Sequence, residues 1–324
     1  MTKTDFRTDA VLAVPHAVGC GCAFHARRSL SAALLAAGVA APALAQQPQP
    51  QPTQAADSGL RGDVGKQSAF TKLVPAAQVE QAAAQQYAQM MRNAADQRAL
   101  GPDSHPQVQR LRAIAQRIIP YTEPWNTRAR QWRWEVNLLG GKDLNAFCMP
   151  GGKIAFFHGI LAQLQLSDDE VAAIMGHEVA HALREHARER MAKTAATRVG
   201  ASVLSAMLGL GGTGDALLNM GGQLLTLRFS REDESEADIV GMELAARAGY
   251  DPKAGVTLWQ KMLATGKNSP PQFMSTHPSG ATRIQDIEAK LPKVQPIFAG
   301  ADKPPKRFGP PAKAAAASAI AGGA

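Results

Sequence analysis

"GHEVAHALREHARER" occupies Gly176 to Arg190 and packs three histidines and three glutamates into fifteen residues. Within it, His177-Glu178-x-x-His181 has the HExxH spacing. Four residues turn a helix by about 400°, so both imidazoles share one face, one turn apart, and reach a single zinc ion. Glu178 lies about 100° round from His177, close enough to serve as a general base without being a ligand. His186 is nine residues from His177 and about half a turn round the helix. It cannot share the metal with the pair and reads as a solvent-facing or packing residue. Glu185 and Glu189, with Arg184, Arg188 and Arg190, read as a salt-bridged helix surface. The longer HExxHxxGxxH pattern is absent, because Arg184 and Ala187 stand where its glycine and third histidine fall.

Upstream, "SDDE" from Ser167 to Glu170 is a capping box, and its aspartates suit the positive end of a helix. One helix of about seven turns is therefore expected from Ser167 through Arg188. Two histidines leave a zinc site incomplete, and a third ligand must come from elsewhere. "SREDESEAD", Ser230 to Asp238, sets an acidic cluster in the middle of a predicted helix from about 222 to 247. Glu234 and Asp238 are four apart on one face. A glutamate here completes a two-histidine, one-carboxylate site with a fourth position for water. Asp238, one turn along, is placed to hydrogen-bond a ligand histidine. Glu232, Asp233 and Glu236 also fit an exposed acidic run.

The remaining chain supports a mostly helical α+β domain with a small sheet. Pro75–Leu100 and Val108–Ile119 have helical patterns. In "QWRWEVNLL" (Gln131 to Leu139) apolar and polar residues alternate, as in a half-buried strand. "LNAFCM" and "KIAFFHG", separated by Pro150-Gly151-Gly152, predict two further short strands. Pro252–Leu263 and "PSGATRIQDIEAKL" (Pro278 to Leu291) predict the last helices. The glycine-studded apolar stretch 199–222 is too interrupted to span a membrane. It reads as a mobile hairpin or lid, with peripheral membrane contact as the weaker option.

The chain has 324 residues, a formal charge of +8 and 45% hydrophobic residues, as expected for a protein with a substantial core. Residues 1–45 read as a cleaved signal peptide. Arg27 and Arg28 precede an apolar run from Leu30 to Ala41, and Ala43-Leu44-Ala45 matches a cleavage site. That reading implies a periplasmic protein, in places associated with the outer membrane. Residues 46–66 form a Pro/Gln-rich linker, 67–295 the folded domain, and 296–324 a disordered Pro/Ala-rich tail. Cys20 and Cys22 leave with the leader, so Cys148 cannot form an internal disulfide and reads as a core residue. Basic residues are scattered without aromatic interleaving, which argues against nucleic-acid binding.

Four stretches together resemble the zinc metallopeptidases typified by the heat-shock protease HtpX and the CAAX prenyl protease. The resemblance is strongest to soluble periplasmic members of the beta-barrel assembly-enhancing type. The stretches are "NAFCMPGGKIAFFHGIL" (Asn145 to Leu161), "SDDEVAAIMGHEVAHALREHARER" (Ser167 to Arg190), "FSREDESEADIVGMELAARAGYDP" (Phe229 to Pro252) and "FMSTHPSGATRI" (Phe273 to Ile284). The resemblance implies a gluzincin fold and one zinc ion per chain on His177, His181 and Glu234. The family's E-x-x-A-D pattern falls on Glu234, Ala237 and Asp238, which favours Glu234 over Glu236. The resemblance also sets His277 beside the metal, stabilising an oxyanion or filling the open position of zinc in a resting state. It gives Arg283 the role of orienting Glu178 or polarising a carbonyl. "GGKIAFF" is expected to border the cleft and to hold an extended peptide by strand addition. The chain departs from longer periplasmic relatives in lacking helical repeats after the protease domain, which weakens the case for docking on an assembly machine.

These observations predict a zinc endopeptidase acting on unfolded or misassembled outer-membrane or periplasmic proteins, with broad specificity. Two other readings stay open. One is a zinc-containing chaperone or binding factor with suppressed hydrolysis; the other is a zinc amidase acting on cell-wall peptides.

Overall fold

The computed structural model describes residues 59–198, 224, 227–265, 272–278 and 282–312. The expected leader and the 199–222 segment lie outside the described residues. The architecture is α+β, mostly helical, with one three-stranded sheet. Two helices, α1 (Ala76–Asp96) and α2 (Pro106–Ile118), precede the strands β1 (Glu135–Leu139), β2 (Ala146–Met149) and β3 (Lys153–Phe157). Then follow α3 (His158–Gln163), α4 (Asp168–Leu183), α5 (His186–Arg198), α6 (Arg231–Arg247), α7 (Ala254–Thr265), α8 (Gln272–Thr276) and α9 (Arg283–Gly300). Among the described residues, no helix is long and apolar enough to cross a membrane.

The helix that carries HExxH forms the centre of the core. Its start is the expected capping box: Ser167 Oγ accepts from the Glu170 N–H, and Glu170 Oε2 accepts from the Ser167 N–H. Every residue from Ile174 to Leu183 is buried, because α2, α6, α7 and β2 surround α4. The first turn is held from outside as well. Buried Arg110 on α2 pairs with Asp168 at 2.6 Å. The Phe308 N–H donates to the same carboxylate at 2.7 Å, and Arg307 pairs with Asp169 at 2.8 Å.

Several expectations are corrected. The single seven-turn helix is two helices, because Glu185 takes a left-handed φ of +58° and ends α4. Arg188 and Gln67 both donate to the Glu185 carboxylate, at 2.6 and 2.8 Å, and fix this turn. The acidic cluster opens a helix rather than lying in its middle. Ser230 is the N-cap of α6, in a second capping box with Asp233, so Glu232, Asp233 and Glu234 form the first turn. The last helix runs through Pro292 and Pro296 to Gly300, past the expected boundary at 295. Beyond it, Gly309 and Pro311 bond to Asp168 and Gln165 rather than forming a free tail. At the other end, the expected linker is already anchored at Leu60, which is buried and donates its N–H to Glu243.

The sheet order is β1-β3-β2, with β1 parallel and β2 antiparallel to β3. Gly151 and Gly152, at φ +84° and +76°, make the turn between β2 and β3. "GGKIAFF" is therefore the central strand, paired on both sides, and cannot accept a further strand. The outer side of β1 is also used: Gly101 N–H donates to Leu138 O and Arg112 Nε to Val136 O. Among the described residues, the edge not paired with another strand belongs to β2, where the Ala146 N–H donates to Asn145 Oδ1 at 3.0 Å. Asn145 O accepts from Phe157 N–H, so antiparallel alternation turns Phe147 and Met149 towards β3 and the backbone groups of Ala146 and Cys148 outward.

Candidate metal centre

The two helices α4 and α6 cross closely enough to bring their polar residues together. His177 Nε2 lies 3.1 Å from His181 Nε2 and 3.5 Å from Glu234 Oε2. His181 Nε2 is 3.5 Å from Glu234 Oε1. His277, just after α8, places Nδ1 3.0 Å from Glu234 Oε1 and 3.3 Å from His177 Nε2. All four residues are buried.

These separations fit one small cation. Four ligand atoms arranged tetrahedrally about zinc, each about 2.0 Å from it, stand about 3.3 Å from one another. The proton count agrees. His177 Nδ1 meets Asp238 Oδ1 at 2.9 Å, and His181 Nδ1 meets His186 Nδ1 at 2.9 Å. With Nδ1–H donating outward on each ring, both Nε2 lone pairs face each other and the carboxylate. Burial keeps His181 well below the ordinary histidine range, so its ring is neutral. Burial opposes the charge on Glu234, but the hydrogen-bonding groups around it, His277 Nδ1 at 3.0 Å among them, outweigh it and hold the carboxyl well below its usual range. Converging acceptors around an ionised carboxylate are the donor set that zinc takes.

Glu178 stands beside this group and outside it. Its Oε1 is 3.4 Å from His277 Nε2 and is a buried oxygen without a hydrogen-bond partner. Burial pushes its carboxyl above the ordinary range, which favours holding a proton. A cavity of about 140 Å³ opens here, lined in part by Phe147, Cys148, Phe157, Glu178, His181 and His277. Thus β2 lies along the cleft, and β3 borders it through its last residue, Phe157. Phe229 stacks on His181 with ring centres 4.0 Å apart, and Phe273 stacks on His277 at 4.5 Å. The Cys148 thiol is buried and pushed up by that burial, as suits a packing residue.

Two site readings change. Arg283 does not reach Glu178. Its Nη1 donates to Glu234 Oε2 at 2.6 Å, and its Nε and Nη2 hold both Asp238 oxygens at 2.7 Å. The guanidinium lies over the Trp259 ring at 3.7 Å. Arg283 therefore braces the carboxylates of the site. Of the two readings of His186, packing holds and solvent-facing does not. The break at Glu185 turns it back onto His181, leaving it 2% exposed, with Nε2 3.3 Å from Glu236 Oε2. Glu236 in turn pairs with Arg184 at 2.8 Å. Neither Phe229 nor Phe273 carried a signal in the sequence beyond lying next to a motif.

A family model described as peptidase family M48 matches residues 105–291. The Schizosaccharomyces pombe protein named mitochondrial metalloendopeptidase OMA1 is 37% identical over 199 residues, covering 60% of this chain and 56% of its own length. The Arabidopsis thaliana protein of that name is 39% identical over 150 residues, covering 46% and 30%. The Escherichia coli beta-barrel assembly-enhancing protease is 26% identical over 170 residues, covering 49% and 35%. The chain thus spans about half or less of the length of these relatives. The expected periplasmic location is overturned by the names of the yeast, plant and cattle relatives, which are mitochondrial. Basic residues ahead of an apolar run are common to more than one kind of targeting segment, so that pattern does not choose a compartment.

Proposed function

The chain belongs to peptidase family M48, and we propose that it is a zinc-dependent endopeptidase that cleaves unfolded or misassembled proteins in quality control. The observation that carries this is the convergence of His177, His181 and Glu234 beside a buried, unpartnered Glu178 oxygen. Zinc bound there supplies a Lewis acid that activates water and polarises the scissile carbonyl. The chain's own residues do the rest. Glu178 takes a proton at its free oxygen and returns it to the leaving amine, a task suited to a carboxyl raised by burial. Asp238 and His186 fix the outward nitrogens of the two ligand histidines. Arg283 fixes Glu234 and Asp238.

The outward carbonyls of Ala146 and Cys148 favour an extended chain laid along β2, which would displace the bond of the Ala146 N–H to Asn145 Oδ1. Such binding reads backbone more than side chain and needs an unfolded segment, which supports broad specificity. β-Barrel proteins caught during assembly are the substrates we favour, on the name of the E. coli relative.

One observation supports a second reading, a binding factor with suppressed hydrolysis: His277 stands at the fourth corner of the cluster, where water is needed. Zinc analysis with assays on casein and on peptidoglycan separates the readings. One zinc per chain with casein cleavage is expected. Zinc without cleavage supports the binding factor, and cleavage of peptidoglycan alone supports an amidase.

A further inference from the structure

We infer that His186 is a positioning residue for the metal centre, the middle of a buried relay His181–His186–Glu236 that sets the tautomer and orientation of one ligand histidine. The inference rests on the zinc reading above. The two ligand rings are backed differently. His177 is backed directly by a carboxylate, Asp238, itself clamped by Arg283. His181 has no carboxylate at its Nδ1. It meets a second imidazole, at 2.9 Å between Nδ1 atoms, and only that ring reaches a carboxylate, Glu236.

The proton arrangement follows from chemistry. A ligand nitrogen carries no proton, so His181 bound through Nε2 keeps its proton on Nδ1. His186 Nδ1 must then accept it, and His186 carries its own proton on Nε2, facing Glu236 Oε2. The acceptor is fixed from behind: Arg184 Nε donates to the same Glu236 oxygen at 2.8 Å, and Arg184 Nη2 to Gly65 O at 2.7 Å. Each link has one donor and one acceptor. Phe229, stacked on His181, closes the open face of that ring.

The geometry depends on the break after α4. In a continuous helix His186, five residues after His181, points about 140° away from it. The left-handed Glu185 removes that divergence. The Glu185 turn thus has a purpose in the site, as does Glu236, two residues after the ligand Glu234.

The test is zinc affinity of the full chain, by competition with a chromophoric chelator, with circular dichroism as a check on folding. Loss of a partner to a ligand histidine lowers metal affinity about 10–100-fold, and His186→Leu is expected in that range. His186→Asn should recover part of the loss, since its Oδ1 branches where the imidazole Nδ1 does and can accept the His181 proton. If His186→Leu does not fold, Glu236→Leu cuts the relay at its half-exposed end and should weaken zinc binding several-fold. In the zinc-loaded parent and His186→Asn, the His181 Nδ1–H proton should be visible by NMR and slow to exchange; in His186→Leu or Glu236→Leu it should exchange faster. A parent that binds one zinc while folded His186→Leu, or Glu236→Leu, binds it equally well overturns the relay and leaves the zinc reading intact. His186→Asn as weak as a folded His186→Leu overturns it too. A parent that binds no zinc overturns both.

Discussion

Gly176 and Gly241 meet backbone to backbone where α4 crosses α6. A Cβ on Gly241 would lie 2.6 Å from the His177 nitrogen, and one on Gly176 would lie 2.5 Å from Gly241 O. Contacts this short with main chain cannot be relieved by a rotamer change. The crossing is what lets His177 and His181 reach Glu234 and Asp238. Exchanging a helical glycine for alanine ordinarily stabilises by about 1 kcal/mol. Gly241→Ala should do the reverse, costing about 3 kcal/mol of overpacking and lowering Tm by roughly 5–10 °C, with weaker zinc binding. Gly255→Ala is the control, because the nearest atom to its Cβ is 3.7 Å away. Thermal melts of both variants check this, and similar melting for the two would remove the close crossing as a constraint.

Glu178→Gln should retain zinc and lose roughly 10²–10⁴-fold in casein hydrolysis, the usual worth of a positioned general base. The amide keeps the size of the side chain and cannot take the proton. A variant that digests casein at the parent rate rules out Glu178 as the base.

Local signals were legible in the sequence and distant ones were not. The HExxH pair and the Ser167 capping box depend on spacings of three and four residues, which helix geometry fixes by itself. Glu234 was readable as a member of an acidic cluster, and the resemblance chose it over Glu236. The packing of His186 against His181 was not legible, because nothing in "ALREHARER" announces a left-handed residue: Glu185 is neither glycine nor asparagine. Its conformation is held by Gln67 and Arg188, and Gln67 lies more than a hundred positions upstream. The same holds for the strands. That β3 lies between β1 and β2 depends on parallel pairing across a long connection, so the edge facing the cleft could not be chosen locally. Arg283 needed its partners on α6 to be in view before its role as a brace became apparent.

Glu234 and Glu236 make a direct comparison, two residues apart on one helix. Glu234 touches the ligand atoms of His177, His181 and His277, whereas Glu236 touches His186 and Arg184. Glu234→Gln should lower bound zinc severely. Glu236→Gln keeps an acceptor for His186 and should lower affinity only a few-fold. Metal analysis after gel filtration measures both, and equal loss would withdraw Glu234 as the ligand.

His277 packs against Phe273 and lies within 3.0–3.4 Å of Glu234, His177 and Glu178. In that position it excludes water from the place where hydrolysis needs it. His277→Ala should therefore raise the basal rate on casein several-fold while the circular dichroism spectrum is retained. A lowered rate in a folded, zinc-loaded variant would instead assign the imidazole to stabilising the oxyanion.

His158 and His105 predict a pH dependence of stability that is separate from the metal centre. Their rings meet edge to face, 6.4 Å between centres, and burial depresses both below the ordinary histidine range. His105 Nδ1 also accepts from the Gln107 N–H and caps α2, which a protonated ring cannot do. In the unfolded chain both titrate near pH 6.5, so below that pH the unfolded state binds more protons than the folded state. The sign follows: stability is full above about pH 6.5 and falls as pH drops towards the depressed folded values. Urea midpoints at pH 7.5 and 5.5 measure the loss in the parent. His158→Gln removes one of the two groups without adding a charge. Its loss between those pH values should be smaller than the parent's, and the other carboxylates and histidines cancel in the comparison. An equal loss in parent and variant would mean that His158 accepts its proton in the folded state as readily as in the unfolded chain.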